Sequence, residues 1–433
     1  MIYICIVVSL IFCIVKYDIY SSSQYKNTVF KVVFFVLWFL AAFRYRIGND
    51  TADYMYEYTH SLAISDCSWE DILGNINRRP GWNILIGVCK QIGSDYVIFQ
   101  LFHSTFINYS IYHFIKRYSK MIYVSAFIYF VLFYANLCFD AMREALAVAV
   151  FLWSINSFTK NKWVKYYFIA CIASLFHISS IIIFILPLVK ILKPTKTLLI
   201  CSFVIFCVLL SLYPFINEYL LYLQIWGNVG DFGSKATNYL SNENYQFSGT
   251  ILSIIKALIS GVLVSLFFVY YYCMRRNDSY DWIIQINLVY ILLDILNVGD
   301  SYDWIIQINL VYILLDILNV GAPLFYRFQS YLCIIYVILI SNCCYYLLYE
   351  YVILISNCCY YLLYEKKLCL LTRQFSIFVV LICISYYPIK RYFMPFPPKP
   401  EILNYRLYSP YSTVFFKDVD MVRESMRDHP EIK

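Results

Sequence analysis

The sequence predicts an all-α, polytopic integral membrane protein with about twelve transmembrane helices. Hydrophobic residues make up 61% of the 433 residues and charged residues only 14%, against roughly 25% charged residues in a soluble domain. Apolar runs such as residues 249–274 reach the roughly 20 residues that cross a bilayer. These runs recur from the first residue to about position 387. We therefore expect one multispanning membrane domain over residues 1–388 and a polar C-terminal tail over residues 389–433.

The lysines and arginines predict how the helices are oriented. Lys16, Lys26 and Lys31 fall between the first two apolar runs. Cytoplasmic loops are rich in basic residues, so we place this loop inside and the N-terminus outside. Residues 2–15 have no basic segment before them and no cleavage site of small residues, so we interpret them as a retained first span. The same alternation predicts spans at about 30–43, 97–115, 121–137 and 142–158, a helical hairpin at 164–192 turning near His177, and spans at 198–215, 249–273 and 282–298.

Two segments are repeated in tandem without a single change. Residues 278–299 recur at 300–321, and residues 336–350 recur at 351–365. Structural repeats keep only their buried positions, so identity at every position indicates a recent duplication or a sequence artefact. If only one copy of each repeat is counted, Arg327 lies outside. If both copies cross the membrane, the chain has more than twelve spans.

The sixteen cysteines lie mostly inside apolar runs, where they behave as small hydrophobic residues. Cys343 and Cys344 are adjacent, and two neighbouring thiols do not hold a tetrahedral metal ion alone. We expect no metal site and no cofactor.

The first candidate site is the sequence RYRIGNDT at residues 44–51, at the outer end of the second predicted span. Arg44 and Arg46 beside Gly48 are suited to a pyrophosphate, because guanidinium groups match phosphate oxygens bidentately. Asp50 or Asp53 is a candidate general base for a sugar hydroxyl. The alternative is that the arginines cap the span and pair with these aspartates.

Three further candidates fall on the same predicted outer face. Asp140 and Arg143 open a helix at positions i and i+3 and have the alternative of pairing with each other. His177 lies in an apolar hairpin, where a lone histidine is more often a packing residue than a catalyst. Arg327, followed by Tyr331, comes just after the break at residues 321–323. Separate structural roles do not predict this convergence, and ionisable groups at membrane depth are functional by default.

These motifs resemble the EpsG-like branch of the Wzy polysaccharide polymerases. The resemblance is carried by residues 44–51 with Tyr54, residues 142–147 (MREALA), residues 176–179 (FHIS), Arg327 with Tyr331, and residues 410–412 (PYS) in the tail. The resemblance covers almost the whole chain. It is supported by the order and spacing of the short motifs. Two positions depart from the family pattern: Arg79 precedes Pro80-Gly81-Trp82 where an acidic residue is common, and Asn49 replaces the usual threonine.

The resemblance implies a GT-C-like architecture and a glycosyltransferase at the outer face of the bacterial inner membrane. Such an enzyme joins undecaprenyl-pyrophosphate-linked oligosaccharides into O-antigen, capsule or exopolysaccharide, among membrane lipids and beside a flippase and a chain-length regulator, with no nucleic acid. Either His177 or Asp50 is then the base. The residues expected to bind pyrophosphate or substrate are Arg44, Arg46, Gly48, Tyr54, Arg143, Arg327 and Tyr331.

Two other classes remain open at this point. A flippase or transporter of the same lipid-linked sugars also needs outward arginines, but it requires opposed halves with polar groups along a path to both faces. An O-antigen ligase or an acyltransferase of the same pathway shares an outer site of this kind.

Overall fold

The computed structural model describes residues 2–48, 50–73, 79–188, 308, 325–349, 411 and 413–415. The chain divides into two compact units, the first formed by Met1–Ser180 with Glu365–Lys433 and the second by Ile181–Tyr364. The predicted spans at 198–215, 249–273 and 282–298 lie outside the described residues. So do the repeat at 278–299 and 300–321, apart from residue 308, and the second copy at 351–365.

Every regular element in the described ranges is a helix, which confirms the predicted helical fold class. In the first unit the helices are α1 Ile2–Cys13, α2 Lys26–Ala42, α3 Thr51–His60, α4 Trp69–Leu73, α5 Pro80–Ile92, α6 Tyr96–Tyr118, α7 Ile122–Tyr129, α8 Met142–Thr159 and α9 Trp163–Ser174. In the second unit they are α10 Ile181–Ile185, α11 Phe325–Gln329 and α12 Cys333–Tyr349. Short 3₁₀ turns occupy Ile64–Asp66, Ile178–Ser180 and Ser330–Leu332.

The predicted helices at 30–43, 97–115, 121–137 and 142–158 correspond to α2, α6, α7 and α8. Helix α9 ends at Ser174, which leaves a break next to His177; the predicted hairpin over 164–192 stays a prediction. Among the described residues, one helical stretch, Ile2–Ile19, is long and apolar enough to cross a membrane, while Ile122–Tyr134 and Arg327–Asn342 are apolar but shorter. Helix α6 has 23 residues, about 35 Å, but polar side chains lower its hydropathy. The number of spans stays a prediction.

Helix α8 forms the centre of the first unit, and nearly all of its residues are buried. Ala145, Ala147 and Ala149 are small residues of the kind that lets neighbouring backbones approach closely, and α6 and α9 pack against α8. Asn161, with φ 54°, provides the left-handed turn that returns the chain from α8 into α9, since asparagine tolerates this conformation.

The buried side chain of Asp18 fixes the beginnings of two helices. Its carboxylate accepts hydrogen bonds from the backbone N–H groups of Tyr123 (2.8 Å) and Val124 (3.0 Å) at the start of α7. Its other oxygen lies 3.1 Å from Lys26 Nζ at the start of α2. A carboxylate at a helix N-terminus satisfies donors that have no partner within the helix. Asp18 therefore joins the end of α1 to the beginnings of α2 and α7.

Candidate functional site

The candidate site is built on an irregular connection between α7 and α8. After α7 the chain continues through two π-helical segments, Phe130–Tyr134 and Asn136–Asp140, and Ala141 leaves helical geometry before α8 begins at Met142. Wide turns of this type are frequent at functional sites because they release backbone groups from the helical ladder. Here the Phe139 carbonyl group is released, and it accepts a hydrogen bond from the Thr51 hydroxyl (3.3 Å). The first two predicted motifs are thereby brought together.

Gly48 lies where the chain passes closest to this connection. Its φ of 112° belongs to a region that residues with a Cβ rarely adopt. A Cβ added at Gly48 would lie 2.7 Å from the Phe139 carbonyl oxygen and 3.0 Å from a carboxylate oxygen of Asp140. Thr51 keeps the turn closed from the other side by donating to the Ile47 carbonyl group at 2.7 Å. The glycine is required both for backbone conformation and for space.

Arg44 is buried inside the protein, with 1% of its surface exposed. One guanidinium nitrogen donates to the Ala41 carbonyl group at the end of α2, and the other lies 3.3 Å from Met142 Sδ. The guanidinium group also lies over the Phe139 ring, 5.3 Å from its centroid. Arg44 thus joins the end of α2 to the α7–α8 connection, and its guanidinium group faces inward.

Arg143 follows Met142 in the first turn of α8 and is partly exposed. Its guanidinium group lies 6.0 Å from the centre of the Trp82 ring and is hydrogen-bonded to the Tyr54 hydroxyl group. The Tyr54 and Trp82 rings are 5.3 Å apart, and the Trp82 indole donates to a Glu57 carboxylate oxygen at 3.2 Å. Arg143 is therefore a partly exposed cation that packs against the Trp82 and Tyr54 side chains.

The Tyr54 phenol is neutral in this setting. Burial raises the pKa of Tyr54 to about 12, more than the neighbouring Arg143 lowers it, and the nearby carboxylates of Asp50 and Glu57 also raise it. A neutral phenol accepts a hydrogen bond from the guanidinium group without neutralising its charge. Tyr54 therefore adds no negative charge beside Arg143.

The segment before Trp82 touches the break next to His177. The Gly81 N–H group donates to the Leu175 carbonyl group at 2.9 Å, and a Cβ at Gly81 would lie 2.9 Å from Leu175 Cβ. His177 is partly buried, and its Nδ1 atom accepts from the Ser179 backbone N–H group at 3.4 Å. The histidine thus caps the turn Ile178–Ser180 through Nδ1.

Asp50 and Arg46 lie at the edge of the same cluster, and both are partly exposed. Asp50 precedes α3, and its carbonyl group accepts from the Tyr54 N–H group at 3.1 Å. Arg46 has φ 47° and lies with its guanidinium group 5.4 Å from the centre of the Tyr45 ring. The cluster therefore contains Arg44, Arg46, Gly48, Asp50, Tyr54 and Arg143 from the predicted set.

Arg327 and Tyr331 belong to the second unit. Arg327 lies in α11 and is partly exposed, and its carbonyl group accepts from the Ser330 hydroxyl at 2.9 Å. Tyr331 is completely buried. Their proximity to the Arg143 cluster stays a prediction.

Part of the C-terminal tail docks beside Arg44. Thr413 forms an isolated antiparallel bridge with Arg44, and the Val414 N–H group donates to the Phe43 carbonyl group at 3.0 Å. The Tyr411 hydroxyl donates to the Leu40 carbonyl group at 2.8 Å. These contacts satisfy carbonyl groups at the end of α2 that lack partners within the helix. The sequence had indicated only a resemblance at residues 410–412.

A stripe of buried polar residues on α6 was not predicted from the sequence. Gln100, His103, Ser104 and Asn108 are all at most 3% exposed, and the Gln100 amide donates to the Arg44 carbonyl group at 3.2 Å. Their spacing places them on one face of the helix, and this spacing inside a predicted span was the available signal. Among the residues described, no group of three or more His, Cys, Asp or Glu side chains is placed to hold a metal ion.

The model of the EpsG family matches residues 27–372 of the 433, which includes all the predicted site residues but not the docked tail. No curated protein matches the chain, and no solved structure does so.

Replacing Gly48 with alanine tests the close approach at the connection. We expect Gly48→Ala to lower the free energy of unfolding by roughly 2–4 kcal/mol, because backbone strain adds to the steric clash. Thermal melting of the purified protein measures this. Gly93→Ala is the matched control, since Gly93 has an extended φ of 179° and an added Cβ would meet the flexible end of Ile98. Equal losses for the two variants would contradict the requirement at Gly48.

Proposed function

Because the chain belongs to the EpsG family, we propose that it is a polysaccharide polymerase, a glycosyltransferase that joins undecaprenyl-pyrophosphate-linked oligosaccharide repeat units. It acts at the outer face of the bacterial inner membrane, with about a dozen spans, in the synthesis of O-antigen, capsule or exopolysaccharide. The observation that carries the proposal is the partly exposed Arg143, held by Tyr54 and Trp82 at the meeting point of the family-like motifs. A flippase and a chain-length regulator are its expected partners.

In the proposed reaction, a hydroxyl group of the acceptor sugar attacks the anomeric carbon of the donor glycan. A glycosidic C–O bond forms while the bond from this carbon to the pyrophosphate oxygen breaks. The electron pair leaves with undecaprenyl pyrophosphate, and the hydroxyl proton passes to a base. The charge that develops on the leaving group is what the protein has to stabilise.

Arg143 is suited to stabilising this charge. A guanidinium group presents paired N–H donors that match phosphate oxygens, and the Trp82 ring and Tyr54 hydroxyl fix its orientation. Arg46 is a second partly exposed cation at the edge of the same cluster. We assign Arg44 to positioning, because its guanidinium group is buried and contacts Ala41 and Met142. Arg327 and Tyr331 remain assigned to substrate binding.

Of the two candidate bases, the contacts favour Asp50. Its carboxylate lies close enough to Tyr54 to raise the pKa of that phenol, and Tyr54 is bonded to Arg143. The Nδ1 atom of His177 is engaged by Ser179, whose backbone nitrogen lies 3.4 Å away and whose hydroxyl oxygen lies 2.5 Å away. We propose Asp50 as the base that accepts the proton of the sugar hydroxyl.

Deletion of the gene in its host, followed by gel analysis of the surface glycan, tests the proposed activity. A polymerase mutant retains a single attached repeat unit and loses the long chains. A ligase mutant lacks attached long glycan, and a flippase mutant exports no units. Long chains of unchanged length would contradict the proposal.

Replacement of Arg143 tests its assigned role. We expect Arg143→Gln to reduce polymerisation about 100-fold or more, and Arg143→Lys to recover part of it, because lysine keeps the charge but lacks the bidentate geometry. Complementation of the deletion, with protein levels measured by immunoblot, gives the readout. Arg117→Gln is the control, since Arg117 is bonded to Asn156 near the end of α6. Full chain length with Arg143→Gln at unchanged protein level would remove Arg143 from the site.

The pH dependence of the reaction tests the role of Tyr54. We expect Tyr54→Phe to lower the rate several-fold, because Arg143 loses one orienting partner. The shape of the rate profile between about pH 6 and about pH 9 stays the same, since a group with a pKa of about 12 remains protonated throughout this range. Rates of the purified protein in lipid nanodiscs measure both effects. Loss of a titrating limb in the variant would identify Tyr54 as the base instead.

A further inference from the structure

Three side chains from other segments converge on Met142, the residue before Arg143. The guanidinium group of Arg44 lies 3.3 Å from Met142 Sδ, and the Tyr96 hydroxyl group lies 3.4 Å from the same sulfur atom. His103 Nε2 is 3.0 Å from the Met142 carbonyl oxygen. Met142 is completely buried, so the first turn of α8 is fixed at both its side chain and its backbone.

The bond from His103 defines the state of the imidazole ring. A carbonyl oxygen only accepts, so Nε2 carries the proton and donates. Within the described part of the chain, Nδ1 has no hydrogen-bond partner, although His103 is fully buried. A buried polar atom without a partner is unfavourable. A phenylalanine would fill similar space without this cost, so packing alone does not explain a histidine at this position.

We propose that His103 is a positioning residue, which aims Arg143 at the pyrophosphate group by holding the Met142 carbonyl oxygen. This role of His103 depends on the polymerase function proposed above. His103 reaches the site from α6 and touches no substrate; it acts through the first turn of α8. A displacement of about 1 Å at a catalytic group is enough to cost much of its effect, and loss of this hydrogen bond frees the backbone next to Arg143.

Asn108 provides the matched control for a purely structural effect. It lies on the same buried stripe of α6 and is 3% exposed. Its amide group donates to the Ser104 carbonyl group one turn earlier, at 2.9 Å, and lies 3.9 Å from Cys138 Sγ in the connection before α8, but it does not bond to Met142. Asn108→Leu therefore removes a buried polar group from the same helix and leaves the hydrogen bond between His103 and Met142 in place. The conservative change is His103→Gln, which keeps an N–H donor near the position of Nε2.

The test is binding of undecaprenyl pyrophosphate to the purified full chain in lipid nanodiscs. We expect His103→Leu to weaken binding about tenfold, which corresponds to about 1.4 kcal/mol, His103→Gln to restore most of the affinity, and Asn108→Leu to leave it unchanged. Because His103 acts through Arg143, His103→Leu has no further effect when Arg143→Gln is already present. Additive losses, or equal losses for His103→Leu and Asn108→Leu, would overturn the proposal.

The same measurements separate this inference from the proposed function. If Arg143→Gln binds undecaprenyl pyrophosphate as tightly as the unchanged protein, the role of Arg143 itself is wrong. If Arg143→Gln weakens binding and His103→Leu does not, only the role of His103 is wrong. A melting temperature of His103→Gln equal to that of the unchanged protein ensures that the comparison uses folded protein.

Discussion

The buried guanidinium group of Arg44 is the constraint on which the rest of the site depends. A charge removed from water is tolerated only where protein groups replace its hydration. For Arg44 these groups are the Ala41 carbonyl oxygen, the Met142 sulfur atom and the face of the Phe139 ring. They belong to the end of α2, the start of α8 and the connection before it. Satisfying one arginine therefore fixes three segments relative to one another.

The irregular end of α7 follows from this arrangement. A regular helix running through residues 136–141 would use the Phe139 carbonyl group internally, whereas the π-helical turn leaves it to Thr51. Gly48 permits the chain to pass within contact of this carbonyl group. Once the connection is fixed, Met142 is held inside and Arg143, the next residue, is turned toward Trp82 and Tyr54. One arginine supports the architecture while its neighbour in space remains partly exposed.

Hydrophobicity predicted the positions of several helices, and charge predicted that two of the motifs lie at one face. The apolar runs located α2, α6, α7 and α8, because each run is long enough to dictate its own helix. The grouping of the Arg44 and Arg143 motifs followed from counting basic loops, which placed both at one face. The contact between these motifs agrees with that grouping.

Other features depend on partners far away in the sequence. The burial of Arg44 depends on Phe139 and Met142, about 100 residues later, and a sequence pattern does not reveal which arginine faces inward. The docking of Thr413 on Arg44 joins the tail to the second helix. The role of His103 was not predicted because its partner is a backbone carbonyl group, which carries no sequence signal. The relation of Arg327 and Tyr331 to the cluster also depends on long-range packing and stays a prediction.

In the proposed division of roles, Arg44 supports the site from within while Arg143 contacts the ligand. A cryo-electron microscopy map of the full chain in lipid nanodiscs with undecaprenyl pyrophosphate tests it most directly. We expect phosphate density within hydrogen-bond distance of the Arg143 guanidinium group, beside Trp82, with Arg44 still bonded to Ala41 and Met142. Phosphate density on Arg44, or bound lipid with Arg143 contacting only protein, would contradict it.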